Sequence, residues 1–248
     1  MRLKRRWLAF CRRAGAAGRE EEAFAELDRR YREAGRHYHT WSHVADCLRE
    51  LRRARQEFGQ ADAQALELAV WFHDAVYEPG RQDNEALSAE LALQWASILG
   101  LAPALGKRTA GLILATAHSQ RRAASRGATR GVTRRETRRA TRRTRRSSQG
   151  LVPEDPAEAL LRDIDLAVLG GCWASYRRYE RGIVREYARM PPESFREGRA
   201  ELLHGFLARP ELYATPAFRQ RLERRARRNL ACSVMRLTGR PLARLKRD

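Results

Sequence analysis

An all-α fold is predicted by three observations. Apolar residues recur at three- and four-residue spacing along most of the chain, and almost nothing alternates with period two. Helix punctuation falls where those stripes stop: Gly35, Gly170-Gly171, Pro191-Pro192 and Arg209-Pro210 close runs, and Asp155-Pro156 opens one. Over 248 residues, a hydrophobic content of 43% is enough to bury a sizeable core and excludes disorder throughout. One domain is expected over 1–248, interrupted by a low-complexity insertion at 119–152.

Two short amphipathic helices are expected at the start, Leu3 to Arg13 and Glu20 to Ala34, the second closed by Gly35. The basic start followed by Trp7-Leu8-Ala9-Phe10-Cys11 resembles a signal peptide, but the apolar part is short and Arg12-Arg13 interrupt it. The third helix carries the stripe Val44, Cys47, Leu48, Leu51, Ala54 and Phe58, and His43 lies one turn before Cys47, facing the core. His39 shares that side if the helix starts early. With Thr40 or Ser42 as N-cap it stays in the preceding loop.

The next run, Ala63 to Val76, has apolar residues on nearly every face and reads as a buried helix with His73-Asp74 inside it. It is too short to span a bilayer, and no membrane partner is expected. An unpaired imidazole or carboxylate there would cost several kcal/mol, so each needs a hydrogen bond, a countercharge or a metal. After a turn at Glu78 to Gln82, a helix opens at Asp83 with Leu87, Leu91, Trp95 and Ile98 inward. Asp83 suits an N-cap, and Glu85 either a first-turn charge or a site role. The helix Arg108 to His118 ends on a histidine that complements the dipole.

Between residues 121 and 150 stand twelve arginines and one acid, Glu136, so this segment carries +11 of the formal +20. It lacks hydrophobic periodicity and reads as disordered, with nucleic acid as a possible anionic partner. Arginine dominates everywhere, with only Lys4, Lys107 and Lys246 as lysines, so composition weakens that charge signal. Asp155-Pro156-Ala157-Glu158 then supplies an N-cap, a first-turn proline and a capping-box acid. In the helix they start, Asp165 lies between Leu161 and Leu169 and points at apolar surface. Helices follow at roughly 172–190, 195–208 and 215–237. Cys11, Cys47, Cys172 and Cys232 have no CxxC spacing and read as buried free thiols, which suits a reducing cytoplasm.

Four core-facing polar positions thus stand on three helices: His43, His73 with Asp74, and Asp165. Two neutral imidazoles and two carboxylates suit a divalent transition metal (Mn, Fe, Co, Ni or Zn, with Mg also admissible) with positions left for water and substrate. A metal so held acidifies water and polarises a phosphoryl oxygen, the chemistry of phosphoester hydrolysis. His39, His118 and Glu85 are then supporting, second-metal or water-orienting candidates. No ligand pair has the tight spacing of HExxH.

The order His43, His73-Asp74, Asp165 across an all-α chain resembles the HD superfamily of metal-dependent phosphohydrolases. More narrowly, the stretches Arg36 to His43, Trp71 to Tyr77, Asp83-Asn84-Glu85 with Ser88-Ala89, Asp163 to Gly170, Ile183 to Tyr187 and Ala226 to Leu230 are similar to a bacterial branch of that superfamily known as predicted HD phosphohydrolases. The resemblance implies an HD-type helical bundle with additional C-terminal helices. It also implies ligand roles for His43, His73, Asp74 and Asp165, an acidic residue near the attacking water at Glu85, and a second-metal histidine at His118. Asp163 is an alternative to Asp165 as last ligand. Catalytic work is assigned to Asp74 and Glu85, and Arg36 or Arg81 to a substrate phosphate. The substrate class implied is a small, nucleotide-like phosphoester. A nucleic-acid binder using 121–150 on a silent scaffold is the competing reading. Oligomeric state is not legible.

Overall fold

In a computed structural model, residues 2–54, 59–117 and 155–239 are described. They form ten α-helices: α1 Arg2–Ala14, α2 Glu20–Tyr31, α3 Trp41–Ala54, α4 Gln60–Phe72, α5 Asn84–Ile98, α6 Pro103–Leu114, α7 Pro156–Asp165, α8 Trp173–Glu186, α9 Pro192–Leu207 and α10 Pro216–Thr238. A 3-10 turn, Leu166–Gly170, continues α7, and there is no strand among the described residues. The all-α expectation holds. Phe58, His118 and the Arg-rich 121–150 lie outside the described residues, as does any nucleic-acid contact expected of that segment. No described helix is long and apolar enough to cross a membrane.

The nearly all-apolar α4 is the axle of the fold, because a helix hydrophobic on every face must be covered on every face. It touches α1, α3, α5, α6 and α7, and Leu66 and the whole run Leu68 to Phe72 are fully buried. At its end Trp71 meets Trp7 edge-on, ring centres 5.5 Å apart, and Trp41 at 6.0 Å. The one acid in the middle of α4, Glu67, is equally buried but is answered by Arg13 at 2.9 Å and Arg6 at 3.6 Å. Its charge is therefore neutralised inside the helical layer, which separates it from the His-Asp pair that follows.

Several boundaries differ from expectation for local reasons. α4 stops at Phe72 rather than Val76, so His73 and Asp74 occupy the turn that leaves the helix. The carbonyls orphaned there find side-chain donors: Val70 O takes His73 Nδ1, Trp71 O takes the Tyr31 hydroxyl, and the Arg36 guanidinium takes Asp74 O and Ala75 O. The turn is held on its far side by Ser88, whose hydroxyl bonds both N and O of Val76 at 3.1 Å. In α5 the buried face is Ser88, Ala89, Leu91, Ala92 and Ala96, while Ile98 is exposed. Small residues win because α6 lies close: a Cβ on Gly106 would be 3.1 Å from that of Ala96. Cys172 is exposed, unlike buried Cys11 and Cys47.

The 3-10 turn after Asp165 is fastened by α10 and its approach. Asn229 donates to Leu169 O and Gly171 O, Arg225 to Gly170 O, and the Tyr213 hydroxyl to Leu166 O. Such close approach leaves no room at Gly170, where a Cβ would meet Leu222 Cβ at 2.6 Å and the Tyr213 hydroxyl at 3.0 Å. Gly170→Ala is therefore expected to cost about 1–3 kcal/mol by overpacking. Chemical denaturation of variant and wild type measures it.

Candidate metal centre

The site is assembled from three backbone segments. α3 begins at Trp41, so Thr40 is its N-cap, its Oγ1 accepting from Ser42 N at 3.4 Å, and His43 falls in the first turn. The turn after α4 brings His73 and Asp74, and the end of α7 brings Asp165.

His43 Nε2 lies 3.1 Å from His73 Nε2, 3.1 Å from Asp165 Oδ1 and 3.3 Å from Asp74 Oδ2. His73 Nε2 lies 3.1 Å from Asp74 Oδ2 and 3.7 Å from Asp165 Oδ1. Ligands about 2.1 Å from a cation stand about 3.0 Å apart at octahedral angles and about 3.4 Å at tetrahedral ones, a range that takes in four of these five separations, with only His73 Nε2 to Asp165 Oδ1 wider at 3.7 Å. His73 Nδ1 donates to Val70 O, which fixes the tautomer and turns the Nε2 lone pair inward. Asp74 Oδ2 is fully buried and has no hydrogen bond. An orphaned carboxylate oxygen beside an inward imidazole lone pair is costly unless a proton or a cation joins them.

The charges are strongly coupled. Burial opposes imidazolium at His43, but the Cys47 sulfur and the Asp165 and Asp74 carboxylates outweigh it and hold the pKa well above the histidine range. The same holds at His73, where Asp74 and Asp165 overcome burial. Asp74 is correspondingly held well below the carboxylate range, the imidazoles prevailing over desolvation.

Cys47 joins the group, its Sγ 3.7 Å from both ring nitrogens of His43. One ligand atom from each of His43, Cys47, His73 and Asp165 lies within 4.8 Å of the others, so a buried His/Cys/His/Asp group can hold a metal ion. Cys47 was legible only as a member of an apolar stripe. The signal that it belongs here is its position four residues after His43.

The remaining candidates separate. Asp163, the alternative to Asp165, is turned away: its carboxylate accepts from Ala214 N, Thr215 N and Thr215 Oγ1 at 2.7–2.8 Å and anchors the start of α10. Arg36 is buried with four of its five N–H groups bound to backbone carbonyls and Glu33, and it does not line the cavity beside the group. Arg81 is bound in the exposed turn to Asp83 and Glu78 and lines no cavity beside the group. Glu85 sits half-buried in the first turn of α5 and does not line that cavity either.

His39 stays in the loop before α3. Its Nδ1 bonds Glu186 Oε2 at 2.8 Å, and its ring stacks on Tyr77 at 3.8 Å. Glu186 Oε1 also accepts the backbone N–H of His37, Tyr38 and His39, so this carboxylate builds the loop as well as orienting the imidazole. α8 comes near enough because it has Gly182 opposite Tyr38, where a Cβ would be 2.9 Å from the tyrosine Cβ. No spacing rule links residues this far apart in sequence, and Glu186, although inside the Ile183–Tyr187 stretch of the resemblance, was given no site role.

Burial pushes the Glu186 carboxyl up, but the His39 ring and the loop N–H groups outweigh it and bring it to about 2 from an ordinary 4.5. A depressed folded-state pKa stabilises fully above the unfolded value and loses that contribution as pH falls towards 2, here roughly 3 kcal/mol. The melting temperature of wild type is therefore expected to exceed that of Glu186→Gln at pH 6, with the gap narrowing by pH 3.

A cavity of about 490 Å³ opens beside Asp165 and His39, between the 3-10 turn, α8 and α9. Tyr38 spans from the metal group to its wall, 4.7 Å from the His43 ring and 4.6 Å from that of Tyr179. No family model, curated protein or solved structure matches the chain.

Proposed function

We propose that the chain is a metal-dependent phosphohydrolase of HD type acting on a small, nucleotide-sized phosphoester. The observation that carries this reading is the buried Asp74 oxygen, without a hydrogen bond and facing two imidazole nitrogens, which in turn face Asp165 at the wall of a cavity. His43, His73, Asp74 and Asp165 would hold the cation, with Cys47 beside them. A divalent ion there supplies Lewis acidity, polarising a phosphoryl oxygen and acidifying water.

The chain's own residues supply the rest. Asp165 borders both the group and the cavity, so a phosphate seated there would have its phosphorus next to the cluster and its ester oxygen towards His39. The oxygen of water bonds to phosphorus and the ester P–O bond breaks. One water proton passes to a site carboxylate or phosphate oxygen, and the departing alkoxide takes a proton from His39. Glu186 keeps that imidazole oriented for the transfer.

Elemental mass spectrometry on tag-free protein, with phosphate release from small esters in Mn, Co, Ni and Zn, tests the reading. Near-stoichiometric metal and metal-dependent release, abolished by chelator and restored by metal, are the expected results. Protein that takes up no metal and releases no phosphate would refute it.

A further inference from the structure

The cavity beside the proposed centre constrains what is hydrolysed, an inference that rests on the phosphohydrolase reading. We propose that the substrate is a phosphoester whose alcohol part is uncharged and largely apolar, with one hydrogen-bond acceptor, and that it carries no polyphosphate chain.

The walls away from Asp165 and His39 are made by Leu169, Ile183, Phe195, Leu202 and Phe206 together with tyrosines. Such a surface favours a body that gives up little hydration on entering. Among the described residues the only arginine or lysine lining it is Arg199, and its charge is already answered: Nη2 donates to Glu180 Oε1 and to the Tyr179 hydroxyl, both at 2.6 Å. Among the described residues, Nη1 and Nε of Arg199 make no hydrogen bond. Arg199 thus lines the cavity with N–H groups to spare on a neutralised ion pair, which suits a carbonyl, ether or ring nitrogen better than a second phosphate. His39 is engaged by Glu186, and Arg36 by backbone carbonyls. A di- or triphosphate would bring charges that no free arginine or lysine among the described residues of these walls can meet.

The same wall offers a way to close the cavity without disturbing the cluster. Gly198 lines it from α9, and a Cβ built there meets nothing within 4 Å. A side chain at 198 is compatible with the helix and occupies open space at the cavity.

The test compares 2-cyclohexylethyl phosphate with ethyl phosphate, whose alkoxide leaving groups are similarly basic, on metal-loaded full-length protein. In each case the P–O ester bond breaks and the alcohol leaves with a proton. kcat/KM for the cyclohexyl ester is expected to exceed that for ethyl phosphate by at least about ten-fold, with ATP poorer than either. Gly198→Phe is expected to bring the ratio near unity. Calorimetric titration with 2-cyclohexylethylphosphonate and ethylphosphonate, which are not hydrolysed, reads the same preference as binding. Turnover of both esters at equal kcat/KM, or of ATP above both, overturns the apolar-substrate proposal while hydrolysis stands. Preferential binding of the cyclohexyl phosphonate without turnover of any ester upholds the cavity assignment and removes the hydrolase reading. A preference undiminished in Gly198→Phe also overturns the proposal, because the apolar body must then lie elsewhere.

Discussion

Asp74→Asn is expected to abolish metal uptake, with metal content falling below about a tenth of wild type and hydrolysis by about a thousand-fold or more. The amide keeps the volume but loses the charge, and its NH₂ can donate to the inward lone pair of His73 or His43, occupying the position a cation would take. The diagnostic quantity is thermal. A cation binding only the folded state at 100 times its dissociation constant stabilises by about 2.7 kcal/mol. For a chain of this size that raises the melting temperature by roughly 5–10 °C. Wild type should show this rise on adding Mn or Zn, and Asp74→Asn should not. If Asp74 only packed the turn, the variant would lower the melting temperature equally with and without metal, and neither protein would respond to the ion.

How far this centre was legible in the sequence depends on the kind of signal each residue carries. His43 could be placed on the core side because Val44, Cys47, Leu48 and Leu51 fix the helix phase, and the same logic turned Asp165 inward through Leu161 and Leu169. Buried polar residues inside apolar runs announce themselves, since each must be compensated, and His73-Asp74 did so. Glu67 shows the limit of that argument: equally buried in the same run, it is a structural ion pair with arginines of α1, and nothing local distinguishes the two cases. Asp163 and Asp165 differ by two positions, and only the tertiary fold sends one to the start of α10 and the other to the centre. Glu186 and Arg199 depend on how α8 and α9 dock, which periodicity does not encode. The arginines show the reverse error. Arg36 and Arg81 stood near the motif in sequence and invited a phosphate, but proximity in sequence says nothing about which donors are already taken.

Arg36→Ala should be the most destabilising substitution in the motif loop, by about 3–5 kcal/mol, as for a buried charge network broken on one side. The guanidinium sits between α2 and the His-Asp turn, its Nη1 on Asp74 O and His39 O, its Nη2 on Ala75 O and its Nε on Glu33. It also lies over the Tyr31 and Tyr77 rings at 5.4 and 5.8 Å. Alanine leaves three carbonyls without their arginine donor and opens a gap between two aromatic rings. A fall in melting temperature on the order of 10 °C is expected. Lysine cannot reproduce the fork, so Arg36→Lys should recover only a minor part of the loss. The same contacts predict a functional consequence: the carbonyls of Asp74 and His39 share one nitrogen, so releasing it loosens the turn that carries Asp74 together with the loop that carries His39. Metal affinity measured well below the variant's melting temperature should therefore weaken even where the protein remains folded. Unchanged affinity in folded Arg36→Ala would show that the turn carrying Asp74 is held by α4 and by the bonds of Ser88 to Val76 alone, and that the guanidinium contributes to stability without setting the geometry of the centre.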